Sequence, residues 1–479
     1  MSVERVLDRT PAQLPACPPP ATRSVREERS LVLFLGLLAA ALFLLFQQGT
    51  IANSDGQAVF DVTRSLVEDH DLTIDEELGS QGRGGSHFSH FGIGLSVVGV
   101  VPYVAAYPVA RLAGHDYFVY EFAASSTMPL ICALLVVLLY LLARRLGASI
   151  RPALLVAGGS VAGTYVLAYT KEYYSEPLAA AFLVLAIERT LAKAPRQACV
   201  ALVLAFLCRP EVVAVTPVFL LAFWYDGGFR SLRKAVPVVA AGGGLVLVYN
   251  SVRFGGPLDV GYGTETFTSW HFGRLGAFVV NPSKSVLLFA PVAVLLPLAL
   301  LALWRVNRTA AGLMAGNAVV LLVVALTWEG GGSAWPWGPR HLLLAIVPAL
   351  PAIALWITSP ARRAAALALF AAGFLVSAST LLVPTQAQQL DRPAPRAPHV
   401  IRQIELVPRT VRYTADHLYE PGEATLGEHR RYLSLWQVGA ARELGRLGLV
   451  LAGIGTLLLF VLATFSLLGL RARLRNLAP

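Results

Sequence analysis

Long apolar runs, broken by short charged turns, dominate the chain. Read by the length that a bilayer helix requires, they predict about a dozen spans, near 31–47, 120–143, 152–169, 177–192, 197–208, 212–225, 235–250, 285–304, 310–327, 341–358, 363–383 and 447–470. Two stretches depart from the plain pattern. Residues 92–113 are apolar enough to span but hold Pro102 and Pro108. The runs 197–208 and 212–225 are short on either side of "CRPE" and fit a hairpin or one kinked helix.

The positions of Lys and Arg choose between these readings. If 92–113 lies in the membrane interface and "CRPE" turns a re-entrant hairpin, six basic clusters share one side. They are Arg144/Arg145/Arg151, Arg189/Lys193/Arg196, Arg230/Arg233/Lys234, Arg305/Arg308, Arg362/Arg363 and Arg471/Arg473/Arg475. Positively charged loops stay in the cytoplasm, so that side is cytoplasmic and holds both termini.

Composition agrees. Of 479 residues 56% are hydrophobic and 14% charged, where a soluble domain carries about a quarter charged. The chain reads as an all-α polytopic membrane protein. Its net charge of +10 sits in loops and reports topology, not a nucleic-acid partner. Cys17 lies in the tail, and Cys132, Cys199 and Cys208 lie in or beside apolar runs with no CxxC, as apolar filler. Residues 1–30 form a Pro-rich basic tail, and the run after it lacks a small-residue cleavage site, so it is expected to be a retained first span. A transmembrane module follows over 31–383, with a long first outer loop at 48–119. An outer loop or cap covers 384–446, with no strong helical period, and 447–479 hold the last span and a basic tail. The cytoplasmic loops carry no nucleotide motif, which places any chemistry on the outer face.

The candidate residues are therefore the polar ones at outer span ends. Asp55, in "NSDG", follows the first span and leads into an amphipathic stretch, "QAVFDVTRSLVED", suited to an interfacial helix. It is either a helix cap or a positioned carboxylate. His87 and His90 in "HFSHFGIGL" have the spacing of one helical face; further zinc ligands and HExxH are absent, and imidazoles donating to a phosphate fit better. Metal dependence stays open, with a divalent ion one option and no ligand set assigned. "YTKEYYSEP" sets Lys171, Glu172 and Glu176 among tyrosines, as an aromatic belt or a substrate wall. "CRPEV" places Arg209 and Glu211 between apolar runs, where charge is costly unless paired or lining a cavity. "WPWGPRHLL" offers Trp337 and Arg340 at a helix start, suited to a phosphate or to interfacial anchoring; Arg253 and Lys284 are further outer-face cations.

In order along the chain, "NSDG", "HFSHFGIGLSVVGVVPYVAAYPVARLAG", "YYSEPLAAAFLVLAIER", "LCRPEV", "YNSVRFGGPLDVGY", "NPSKSVLLFAPV" and "WPWGPRHLLLAIVPALP" resemble the membrane glycosyltransferases of the GT-C superfamily. Protein O-mannosyltransferases and aminoarabinose–lipid A transferases are similar. The resemblance implies a GT-C-like bundle of about twelve transmembrane helices with interfacial helices in the first outer loop. It implies sugar transfer from a polyprenyl-phosphate donor to an envelope glycan, lipid or protein, with inversion, at the outer face of a bacterial inner membrane. By the same resemblance Asp55 is the general base. Arg340 in "WGPR", with His90 and Arg253, holds the donor phosphate, and Glu172 or Glu176 matches an acidic position after the third span. Lys171, Arg209 and Trp337 join the substrate cavity. This chain has "SHFGIG" where many members have a Lys-containing form, and lacks a second acid beside Asp55. Two other readings fit the same spans: a transporter or flippase of lipid-linked saccharide, which favours internal repeats and broken midplane helices, or a non-catalytic envelope scaffold.

Overall fold

A computed structural model describes residues 25–113, 116–263, 270–328, 337–390, 398–418 and 430–475. The elements are almost all helical. They begin with α1 (Val25–Leu45), α2 (Ser54–Glu68), a two-residue hairpin of β1 (Ser80–Gln81) and β2 (His87–Phe88), α3 (Gly94–Ala113), α4 (Asp116–Ser125), α5 (Thr127–Arg145) and α6 (Ile150–Ala162). Then come α7 (Glu176–Leu191), α8 (Pro195–Cys208), α9 (Thr216–Phe254), α10 (Phe272–Val280), α11 (Val286–Phe289), α12 (Leu296–Val306) and α13 (Arg308–Thr327). Last are α14 (Leu343–Ile346), α15 (Ile353–Trp356), α16 (Pro360–Ser377), α17 (His399–His417) and α18 (Trp436–Arg475). Every expected span falls on helical elements. Among the described residues, seven helices are long and apolar enough to cross a membrane. Their exposed faces are rich in Leu, Val and Phe, notably along α9 and α18.

Direct contacts sort the loops into two ends. At one end Arg144 pairs with Glu28 at 3.2 Å and Arg145 with Glu188 at 2.8 Å. Lys193 pairs there with Asp226, which also accepts from Thr309 Oγ1 at 3.1 Å. Phe465 of α18 packs on Phe34 of α1, with ring centroids 5.7 Å apart, bringing the basic C-terminal turn toward that end. At the other end Trp436 N donates to Gln47 O at 2.9 Å. Asp55, Glu176, Arg209 and Arg340 meet there, and it is called the site end below.

This arrangement makes "CRPE" the tip of a hairpin. α8 rises to the site end, and the first part of α9 returns to Asp226 beside Lys193. Gly228, at φ 56°, then breaks α9 into two helices, matching the two expected spans on either side of it. The helix α3 is long enough to cross, yet it starts and ends at the site end. A Cβ on Gly94 would lie 2.4 Å from Cys208 Sγ, and just beyond its other end Tyr117 donates to Gln57 Oε1 at 3.0 Å. α3 therefore lies across the bundle, packed on α2.

Three sequence expectations change. His87 and His90 do not share a helical face. His87 is in the two-residue strand β2, and His90 precedes α3 in a loop. The outer segment after 384 contains a 19-residue helix, α17. Its buried stripe is Gln403, Leu406, Thr410 and Thr414, mostly polar, and its apolar residues at helical spacing, among them Ile401, Ile404 and Val411, are exposed. The last helix also begins earlier than expected, at Trp436, and bends at Gly445 (φ 56°).

Candidate active site

Asn53, not Asp55, caps α2: its side chain accepts from Gly56 N. Asp55 is thus freed from capping and sits in the first turn, where a carboxylate suits the helix dipole. Gly56 allows the next step. A Cβ there would lie 2.7 Å from Tyr173 O, so only glycine lets α2 approach the "YTKEYYSEP" turn. That approach sets Asp55 beside Glu176 and Arg340.

The "WGPR" turn is fixed from behind. Trp337 is buried against Phe289, and its Nε1 donates to Ser377 Oγ at 3.2 Å. Its carbonyl accepts from Tyr169 OH at 2.8 Å. Gly338 takes φ +68°, and a Cβ would press on Phe289 and Tyr165. The turn delivers Arg340 to the cluster. Its Nη1 donates to Asp55 Oδ2 at 2.6 Å, and its Nε bonds Glu176 Oε1. The guanidinium also lies 4.0 Å above the Tyr174 ring. Arg209 Nη1 reaches the same Glu176 oxygen at 3.1 Å, and Arg209 Nε donates to Glu211 Oε1 at 2.6 Å.

The result is a chain of alternating charge, Asp55–Arg340–Glu176–Arg209–Glu211. Both guanidinium groups and Glu176 are buried, while the Asp55 side chain keeps 36% of its exposure. Glu176 Oε2 is buried with no partner among the described residues. Each acid is already bonded to an arginine. Among the described residues no three His, Cys, Asp or Glu side chains gather as a metal cage.

A cavity of about 460 Å³ opens at the Arg209–Glu211 end of this chain, and Asp55 and Arg340 lie outside its lining. His90, Arg209, Glu211 and Tyr262 line one part; Phe206, Val213, Gly243, Val246 and Leu247 make most of the rest apolar. His90 stacks against Phe91 and Tyr262, at 4.1 and 4.5 Å between centroids. Burial pushes its imidazole down to about 4, with Asp55 opposing. His90 is therefore neutral near pH 7 and acts as a hydrogen-bonding group rather than a cation. In the unfolded chain a histidine titrates near 6.5. The unfolded state then binds more protons between those values, so His90 lowers stability as pH falls from about 6.5 to 4. A urea titration at several pH values is expected to show this fall, and His90→Gln is expected to flatten it.

Arg253 lines the same cavity, but its donors are already engaged. Arg253 is fully buried: it bonds Ser89 O, donates to Phe91 O at 3.3 Å and to Asn250 Oδ1 at 2.9 Å, and lies over Tyr249. It fixes the loop that carries His90. Lys171 and Glu172 turn away from the cavity toward the C-terminal segments. Lys171 Nζ donates to Leu381 O at 3.0 Å and Ser434 O at 2.8 Å. Glu172 accepts from Thr385 Oγ1 at 2.8 Å and Gln386 Nε2 at 2.6 Å. They latch the cap, and Glu176 alone of the two glutamates joins the charge chain. Losing a buried donor costs about 1–3 kcal/mol per orphaned group. Lys171→Met, which strips two carbonyls of their donor, is expected to lower the thermal midpoint in detergent, measured by scanning fluorimetry. Tyr174 and Tyr262 were not singled out from sequence; Tyr174 sits in "YTKEYYSEP", which reads as an aromatic belt, and Tyr262 closes the outer segment "YNSVRFGGPLDVGY". Trp335 and the rest of 329–336 lie outside the described residues.

No protein-family model matches the chain, and no curated protein matches it in sequence. Solved structures do. The crystal structure of ArnT from Cupriavidus metallidurans bound to undecaprenyl phosphate aligns over 93% of this chain and 77% of that one, at 16% identity and TM-score 0.53. Its apo state aligns over the same shares at 14% identity and TM-score 0.50. The archaeal oligosaccharyltransferase AglB from Archaeoglobus fulgidus, in complex with an inhibitory peptide and a dolichol-phosphate, aligns over 74% of this chain and 55% of that one, at 13% identity and TM-score 0.50. This chain therefore shares its overall fold with ArnT and AglB.

Proposed function

We propose that the protein transfers a sugar from a polyprenyl-phosphate donor to a hydroxyl of an envelope glycan, lipid or protein. The observation that carries this reading is the charge chain Asp55–Arg340–Glu176–Arg209–Glu211 beside a largely apolar cavity of about 460 Å³. A cavity with charged groups on one side and an apolar helix wall on the other suits a lipid with a phosphate head. Undecaprenyl phosphate and dolichol-phosphate, bound by the ArnT and AglB structures, are lipids of that class.

The chain of charge suggests how the reaction is switched on. Three acids face two arginines, so an arriving phosphate must displace one acid from a guanidinium. Asp55 is the most exposed of the three, at 36% against 23% for Glu211. The phosphate takes its place on Arg340, and the freed carboxylate turns to the acceptor hydroxyl. The acceptor oxygen bonds to the anomeric carbon from the side opposite the phosphate, and its proton passes to Asp55. The bond from that carbon to the phosphate oxygen breaks, leaving the polyprenyl phosphate. General-base help of this kind is worth about 10²–10⁴-fold. Arg340, and Arg209 beside it, stabilise the charge that grows on the leaving phosphate. That group leaves without a proton, so one carboxylate suffices, and a single displacement inverts the sugar. The chain's own cations serve the phosphate, and the reading calls for no metal ion.

By the positive-inside rule the basic end of the bundle faces the cytoplasm, and the site faces outward from a bacterial inner membrane. Purified protein in proteoliposomes, given a panel of polyprenyl-phosphate sugars and extracted envelope acceptors, tests the reading. Release of polyprenyl phosphate that depends on acceptor supports it; no turnover with any pair opposes it.

A further inference from the structure

The helix α17 has three faces. Gln403, Leu406, Thr410 and Thr414 face the protein. Ile401, Ile404, Pro408, Val411 and Ala415 form a second stripe that stays exposed, with Ile401 at 51%, Ile404 at 54% and Val411 at 45%. Glu405, Arg409, Arg412 and Asp416 form a third, charged and exposed. An isolated exposed Ile needs no explanation, but a five-residue stripe along a 19-residue helix does.

Its height in the molecule is fixed by its partners. Gln403 Nε2 donates to Val383 O at 2.9 Å, just past the apolar helix 360–381. Thr414 Oγ1 accepts from Leu433 N at 2.9 Å, just before α18 begins. His399 N donates to Ser283 Oγ at 3.4 Å, just before α11. α17 thus lies across the site-end mouths of three apolar segments, where hydrocarbon gives way to headgroups. The neighbouring α10, joined to it through the 281–284 turn, exposes Phe272, Leu275, Val279 and Val280 on one face. The exposed apolar surface of the bundle therefore continues onto α17.

We propose that α17 is a membrane-surface helix, with its Ile/Val stripe seated in the headgroup–acyl boundary of the bilayer and its charged stripe in water. Such a helix buries its apolar face about 5–10 Å into that boundary. Docked there, it braces the cap that Lys171 and Glu172 latch to the turn carrying Glu176. The inference does not depend on the reaction proposed above.

The test uses the full chain carrying Cys17→Ser, with nitroxide labels at Ile404→Cys, Val411→Cys, Glu405→Cys or Asp416→Cys. Each variant is reconstituted in phosphatidylcholine–phosphatidylglycerol vesicles, and collisions with oxygen and with a water-soluble nickel chelate are compared. Labels at 404 and 411 are expected to favour oxygen several-fold, and labels at 405 and 416 to favour nickel. Nickel access at 404 and 411 would place the stripe in water and overturn the proposal. Poor access to both colliders there would also overturn it, by showing the stripe covered by protein, whether another part of this chain or a second copy.

Discussion

Asp55→Asn is expected to reduce turnover by about 10²–10⁴-fold, the worth of a positioned general base, with little change in KM for the donor. The substitution keeps the shape of the side chain and leaves the cap of α2 intact, because Asn53 provides it. It removes one partner of Arg340, yet Arg340 keeps Glu176. Asp55 is partly exposed, and ion pairs of that kind contribute about 0–1 kcal/mol. The protein should therefore fold and insert as before, with a thermal midpoint close to the parent's. Initial rates on purified protein, beside that midpoint, separate lost chemistry from lost structure. Turnover within a few-fold of the parent would remove Asp55 from the reaction.

Arg340→Lys should cost nearly as much, by a different route. Lysine keeps the positive charge but is a point charge on a flexible stem, and it cannot bridge Asp55 and Glu176 as the planar fork does. Charge on the leaving phosphate grows toward the transition state, so the loss should fall mainly on kcat. Removing one fixed donor to a developing anion costs about 10²–10³-fold, and a fall of that size in kcat is expected. If KM rose alone, Arg340 would be a binding group with no share in the displacement.

How much of this was legible in sequence depended on how each contact is made. The helices were legible because bilayer helices need long apolar runs, and the Gly228 break separated two of the expected ones, although only seven described helices are long and apolar enough to cross. Asp55, Arg209 and Arg340 were legible as charges at span ends, where charge needs a partner. Their partnership was not, since the bond from Arg340 to Asp55 joins residues 285 positions apart. Glu172 and Glu176, one helical turn apart in number, could not be ranked. The backbone turns between them, sending one to Gln386 and the other to Arg340. Arg253 looked like a free cation, but its donors go to backbone carbonyls, which sequence does not display. α17 was missed although Ile401, Ile404, Val411 and Ala415 recur at helical spacing, because Pro408 and the charges between them read as loop.

The most direct test of the central claim is the anomeric configuration of the product. Reconstituted protein, a matched polyprenyl-phosphate sugar and its acceptor would be followed by nuclear magnetic resonance, with released polyprenyl phosphate measured alongside. The account predicts one polyprenyl phosphate released per glycoside formed, with the configuration at the anomeric carbon inverted. Retention of configuration would contradict it, since a single displacement from the side opposite the phosphate inverts the anomeric carbon. So would passage of the donor across the bilayer with its sugar still attached.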